Sequence, residues 1–403
     1  MQQLSAETEQ QVTELVSWAA AEKQTLVISG YGSKAGFGHP VQADCQLSTR
    51  ALSGIVSYES EELVMTALPG TPLATIQHTL AEHSQYLPFE PPTLHHLYHS
   101  GPETSIGGTF IGNLSGPARF RNGAARDYLL GINAVNGRGE KYKSGGKVIK
   151  NVSGYDMSKL LAGSWGTLSV VTELSFKVLP APATAITIVI KDQDSAAAQA
   201  LFQQIQGAPY EATGLAYIPQ QLAQSIGQDT ASVLLRLQGT QLSTEARVKD
   251  ISADLLRGYD YEILQTEATE QLWQTIREVL PFQDEARTPA VLKLSIPPAA
   301  MLDISDVIEQ PGGCLWFADA GGAWLWVGID SVGLEDKIST IQQQVHNHQG
   351  TTILYRAAAE IKQHSTIFAI PDPRLQKMNQ RIKQGFDPLD LFNPGRLGPT
   401  DAN

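Results

Sequence analysis

The chain has 403 residues, 42% of them hydrophobic, and a formal net charge of −12. That length predicts two or three domains, each with its own core, and the negative charge argues against nucleic acid as a partner, since phosphate binding needs a basic face. No apolar run approaches the roughly 20 residues that cross a bilayer, and the polar start MQQLSAETEQ lacks the basic and apolar regions of a leader, so a cytoplasmic chain is expected. Cys45 and Cys314 are the only cysteines and form no CxxC, which leaves neither a disulfide framework nor a protein-held iron–sulfur cluster.

Residues 5–23 carry apolar positions at Val12, Leu15, Val16 and Ala19, the spacing of an amphipathic helix. Strand LVIS follows and runs into Gly30, Tyr31, Gly32, Ser33 and Lys34. No Gly-Lys-Ser/Thr closes a P-loop here, and Gly36, Gly38 and Pro40 stand where a dinucleotide-binding helix would begin. The remaining reading is a loop whose successive amides form an anion nest. Residues 48–67 read as short strands about a turn, Pro72 opens a helix over residues 73–83, and residues 86–92 are a rigid extended run. The imidazoles of His95, His96 and His99 lack a firm ligand spacing, so residues 93–99 read as an exposed polar loop with no metal.

Residues 104–116, TSIGGTFIGNLSG, are a second glycine-rich segment. Gly107, Gly108 and Gly116 permit close main-chain approach, and Thr109, Asn113 and Ser115 add side-chain donors and acceptors. Arg119, Arg121 and Arg126 form a basic island, readable as an anion clamp or as a solvated loop. A hairpin is expected over residues 128–142 about an Asn-Gly turn. The third segment, residues 145–180, reads as loop, short helix, glycine turn and strand. Gly163, Ser164, Gly166 and Thr167 form the turn, and Leu168 and Val170 lead into the strand. Beyond Pro182 the glycine loops stop, and strands near residues 185–190, 212–218, 232–238, 290–296, 314–318 and 323–329 alternate with helices, the pattern of an α+β domain with an antiparallel sheet. Trp316, Trp324 and Trp326 read as strand-packing aromatics.

Taken together and in this order, the three glycine segments resemble the vanillyl-alcohol-oxidase-type (PCMH-type) FAD-binding domain. Lys150, Asn151 and Val152 before Gly154, Tyr155 and Asp156 make the likeness closer to the FAD-binding subunits of bacterial glycolate oxidase, and the closing run from Asp387 to Arg396 resembles that of flavin-linked 2-hydroxyacid dehydrogenases. Ser169 replaces the last turn glycine of that family, so a positive φ is not expected there. The resemblance implies an α+β fold: a two-subdomain PCMH-type FAD-binding domain over residues 1–182, an α+β cap domain with an antiparallel sheet over 183–366, and a tail over 367–403 that returns to the first domain and brings Asn393 near the flavin. It implies non-covalent FAD held by the glycine segments and oxidation of a small 2-hydroxyacid such as glycolate to glyoxylate. It also implies a complex with a catalytic FAD subunit and an iron–sulfur subunit, in contact with the membrane only peripherally through that complex.

The histidine and glutamate set of related catalytic subunits is not evident, and His348 and Arg356 are the residues nearest to its expected place. Three functional classes follow: a flavin-holding relay or scaffold subunit, an autonomous 2-hydroxyacid dehydrogenase, and a nicotinamide-dependent reductase on the same FAD domain.

Overall fold

The polar opening folds first into an edge strand, β1 (Gln2–Ser5), and the helix expected from residue 5 runs over Glu9–Glu22. The delay has a local cause: Thr8 is extended and its hydroxyl accepts from the Gln11 amide, which caps the helix there. Val12, Val16 and Ala19 form its buried face. In this computed structural model, which describes residues 1–146, 156–369 and 372–398, the chain divides into two units. One comprises Met1–Ser115, Ala124–Ala181 and Asp372–Asn403, and the other comprises Gly116–Gly123 and Pro182–Pro371.

In the first unit, β2 (Leu26–Ser29) and β3 (Cys45–Ser48) join β1 in a parallel three-stranded sheet with β3 in the middle. The tail is stitched to this sheet, with Leu26 bridging Phe392 and the Asn393 amide donating to the Leu26 carbonyl at 2.8 Å. A second, antiparallel sheet contains β4 (Ile55–Glu59), β5 (Val64–Ala67), β7 (Leu129–Asn136), β8 (Lys141–Gly145) and β9 (Ser169–Lys177), in the order β4-β5-β9-β7-β8. The two-residue strands β6 (Gln85–Tyr86) and β10 (Leu179–Pro180) pair separately. Met65, Phe89, Phe110, Leu174 and Phe176 fill the core beneath the larger sheet.

Two local expectations change. His95–Tyr98 form a helical turn rather than a loop. The glycine segment after Thr104 contains a helix, Ile106–Ile111, because the Ser105 hydroxyl accepts the Gly108 amide and starts it. Lys150, Asn151, Val152, Gly154 and Tyr155 lie outside the described residues.

The second unit is built on a nine-stranded antiparallel sheet. Its strands are β11 (Thr184–Lys191), β12 (Gly214–Ile218), β13 (Ser232–Gly239), β14 (Tyr261–Leu264), β15 (Ala290–Ser295), β16 (Cys314–Asp319), β17 (Trp324–Ile329), β18 (Thr351–Arg356) and β19 (Phe368–Ala369), ordered β14-β11-β13-β12-β16-β17-β15-β18-β19. The antiparallel arrangement agrees with the sequence reading, whereas β14, β18 and β19 were not anticipated. On one face, Leu292, Leu294, Trp316, Leu325 and Val327 pack with Leu201, Phe202, Ile304, Ile338 and Ile341 from the helices Ser195–Gly207, Met301–Glu309 and Leu334–Asn347. Trp316 is therefore a core aromatic, as expected. Trp324 and Trp326 lie on the other face, because side chains alternate along β17.

Candidate functional site

A cleft of about 330 Å³ opens in the first unit, lined by the loop after β2, the start of the helix Ile106–Ile111, the turn before β9 and Arg396 of the tail. Among the described residues no acceptor takes the amide protons of Gly30, Tyr31, Gly32 or Ser33, and Gly32 sits at φ +71. A bend of this kind turns successive N–H groups inward, which suits an anion. The glycines are needed for packing as well as for conformation. A Cβ on Gly30 would come within 2.7 Å of the Ser105 hydroxyl, and one on Gly107 within 2.6 Å of Pro69.

Lys34 is buried at the same loop, its ammonium donating to Thr104 Oγ1 at 2.6 Å and to Ser33 Oγ at 3.0 Å. Arg396 supplies a second cation. It lines the cleft, only 7% of it is exposed, and its Nε has no partner among the described residues. Burial pulls its guanidinium down to about 10, with Tyr98 acting in the opposite sense. Arg396 lines the same cleft as a row of unspent amides, a set of donors that fits a pyrophosphate.

The third glycine segment shapes the cleft wall. Gly163, Trp165 and Gly166 all have positive φ, whereas Ser169 lies in the regular strand β9 without one. The Trp165 ring stacks on Phe37 with centroids 3.5 Å apart. The Asn393 side chain then locks the turn: its oxygen accepts from the Ile28 amide at 3.1 Å, and its nitrogen donates to the carbonyls of Trp165 and Gly166 at 3.1 and 3.0 Å. Lys383 strengthens the same corner by donating to Thr167 O and Phe392 O and pairing with Asp387.

Of the residues singled out from sequence, Gly30, Tyr31, Gly32, Ser33, Lys34, Gly107, Gly108 and Gly166 line the cleft. The others support it or lie elsewhere. Thr109 bonds back to the Ser105 carbonyl, Asn113 and Ser115 accept the amides of Arg126 and Ala125, and Thr167 donates to the Ser164 carbonyl. Leu168 and Val170 are core residues, Gly163 and Ser164 stand in the turn without lining the cleft, and Gly116 falls in the second unit. Asn393 acts on the wall rather than in the cavity. Sequence reasoning missed Arg396, Thr104, Ser105, Gln46 and Thr49 as lining residues. Arg396 carried a signal, as the cation after Asn-Pro-Gly, but nothing in the spacing showed where the tail would return.

His348 and Arg356 do not assemble into a catalytic pair. Arg356 is buried at the end of β18, where its Nη2 donates to the carbonyls of Phe282 and Thr288 and to the Thr288 hydroxyl, so it serves as a strut. His348 caps the helix before β18 begins, the length of the strand away. The basic island is divided in the same way. Arg121 pairs with Glu211 at 2.8 Å on the surface of the second unit, and Arg126 lies beside Asp127 in the first.

Residues 3–145 match the family model described as an FAD binding domain. The chain is 35% identical over 390 residues, 96% of its own length and 97% of the relative's, to glycolate oxidase subunit GlcE of Escherichia coli. It is 24% identical over 97% of its length to glycolate oxidase subunit GlcD of Bacillus subtilis, covering 87% of that protein. In fold it is similar to p-cresol methylhydroxylase with substrate bound, at a TM-score of 0.76 and 14% identity over 98% of this chain and 88% of that one.

Proposed function

Because the chain belongs to the glycolate oxidase subunit GlcE family and is an FAD-dependent oxidoreductase of the 2-hydroxyacid dehydrogenase group, we propose that it is the FAD-holding subunit of a complex. That complex oxidises glycolate, or a closely similar small 2-hydroxyacid, and passes the electrons to an iron–sulfur partner. The observation that carries this reading is the cleft, lined by the loop whose amides at residues 30–33 are unspent and by Arg396 of the tail. FAD, when bound, supplies the acceptor for the two electrons leaving the alcohol carbon.

The chain's own residues hold and orient the cofactor. The nest and Arg396 would take the pyrophosphate, Gly107 and Gly108 would leave room for a dinucleotide against main chain, and Asn393 keeps the turn at residues 165–166 in place. Among the described residues no histidine or cysteine lines the cleft, which favours non-covalent binding. Acid precipitation should release all the flavin, and a flavin-bearing peptide that survives it would contradict this.

The electrons need an outlet that this chain does not provide. Both cysteines are buried and free, Cys45 in β3 and Cys314 in β16, whereas a cluster takes about four thiolates. A relay subunit is therefore required, and the E. coli and B. subtilis relatives, both named as subunits of glycolate oxidase, support an assembly of several chains. With Arg356 committed to carbonyls and His348 on a helix end, a second flavin-bearing chain performs the substrate oxidation. Among the described residues no helix is long and apolar enough to cross a membrane. The deciding test is anaerobic mixing of the isolated FAD-loaded chain with glycolate and with D-lactate. The flavin should stay oxidised, and rapid bleaching without a partner would show that the chain is an autonomous dehydrogenase.

A further inference from the structure

Residues 387–396 form neither helix nor regular strand, yet the side chains of Asp387, Leu391, Phe392, Asn393 and Arg396 are all buried. Segments of this kind ordinarily run over the surface. The helix that leads into them, Pro373–Phe386, behaves in the opposite way: its early residues Leu375 and Met378 are exposed, and only near its end do Ile382 and Phe386 pack on the core of the first unit. What draws the irregular segment inward is a set of polar attachments of two kinds.

The first kind lies outside the cleft. The Asp387 carboxylate accepts the amides of Leu391 and Phe392 at 3.0 and 2.8 Å and pairs with the Lys383 ammonium at 2.6 Å, which folds the segment back over its own helix end. Neither Lys383 nor Asp387 lines the cavity. The second kind reaches the cleft walls. The Leu26 amide donates to the Leu391 carbonyl at 2.7 Å, and the His39 amide donates to the Arg396 carbonyl at 2.9 Å. Asn393 joins the Ile28 amide on one wall to the carbonyls of Trp165 and Gly166 on another. The fit leaves no slack, since a Cβ on Gly38 would come within 2.6 Å of the Arg396 carbonyl. One irregular segment thus clasps two walls of the cavity and places Arg396 in its lining.

We propose that residues 387–396 are a strap whose docking is coupled to occupation of the cleft: FAD enters and leaves when the strap lifts, and bound FAD holds the strap down through Arg396. This rests on the flavin-holding function proposed above and adds a moving part to it. Lifting the strap exposes two large apolar side chains, Leu391 and Phe392, and requires neither sheet of the first unit to come apart, so it is a local opening. Docking alone buries a guanidinium whose Nε has no partner among the described residues, a desolvation cost that an anion in the cleft offsets. The docked strap is therefore more stable with FAD bound, and by linkage FAD is held more tightly by the docked strap.

The test is hydrogen exchange of the full chain with FAD bound and after its removal, read at the amides of Leu391, Phe392 and Asn393. These should exchange about tenfold faster without FAD, within the usual range of coupling between two sites, while the amides of β12 and β13 in the second unit keep their rates. The reciprocal arm follows FAD release on dilution by the recovery of free-flavin fluorescence. Asp387→Asn should speed release about tenfold from a position outside the cavity, and should add little in an Arg396→Met background, where the link is already cut. Lys383→Met replaces Asp387→Asn if that variant misfolds, and where removal of FAD unfolds the whole first unit the release arm decides. Equal exchange with and without FAD, parental release rates in both Asp387→Asn and Lys383→Met, or full additivity with Arg396→Met would overturn the strap. A chain that retains FAD while its strap ignores it loses only this coupling, whereas a chain that binds no FAD overturns the flavin-holding function itself.

Discussion

The cleft of the first unit is shaped mainly by main chain. Its donors are amides on a glycine loop, its wall is a turn held at positive φ, and its side-chain cations, Lys34 and Arg396, border stretches of unusual glycine content. The charged face of the second unit is made almost wholly by side chains that four strands bring into register. There the Lys293 ammonium stands 3.2 Å from the centroid of the Trp324 ring, Asp319 lies across from Trp324, and Arg119 is added from a segment more than a hundred residues earlier in the chain. A main-chain site tolerates change in most of its side chains but not in its glycines. A face built of side chains has the opposite sensitivity, so substitutions should separate the two.

The largest expected effect is at Gly166, which has φ +72 and an Asn393 amide nitrogen 2.8 Å from where a Cβ would stand. Gly166→Val should lower FAD affinity by more than about 100-fold, read as flavin content after gel filtration. Gly163→Val should cost less, because only the Asn113 Cβ lies near, at 3.8 Å. Full occupancy in Gly166→Val would mean that the turn does not shape the cofactor site.

Asn393→Ala comes next. It removes three hydrogen bonds and leaves alanine at φ 44, a loss of roughly 2–4 kcal/mol in denaturant melts. Flavin affinity should fall in parallel as the turn at residues 165–166 loosens. Stability unchanged within 0.5 kcal/mol, roughly the scatter of surface substitutions, would show that the tail is not a clamp. Arg396→Met should weaken FAD by about tenfold without lowering the melting temperature, since it removes a buried guanidinium whose Nε has no protein partner. Equal FAD affinity would exclude a pyrophosphate contact.

The smallest effect tests the second unit. The folded value of Lys293 is about 7 against an ordinary 10.5, so between those two pH values the unfolded chain binds more protons than the folded one. Stability from this group therefore rises as pH climbs through that window and is lowest at and below about pH 7. Lys293→Met should raise the melting temperature by a few degrees near pH 7, the gain being offset in part by the lost cation–π contact of about 1–2 kcal/mol. Near pH 10 the gain should vanish. A difference between the two proteins that stays constant with pH would show that Lys293 does not titrate as its burial suggests.

Glycine segments could be located from composition and spacing, because a backbone that approaches a ligand or adopts positive φ leaves glycine in the chain whatever surrounds it. The loop at residues 30–34 and the turn at 163–167 were legible on that ground, and the alternation of strands and helices beyond residue 182 marked an antiparallel α+β unit. Sequence could not reveal that Ser105 starts a helix inside a glycine segment, that Arg396 returns to the cleft, or that Arg356 is spent on the carbonyls of Phe282 and Thr288. Lys293, Trp324 and Trp326 looked like ordinary strand residues for a related reason. What distinguishes them is which residue stands across the sheet, and register is set by long-range pairing that no local pattern encodes. Local conformational need is written residue by residue in the chain, whereas the convergence of charges on one face exists only once the strands have paired.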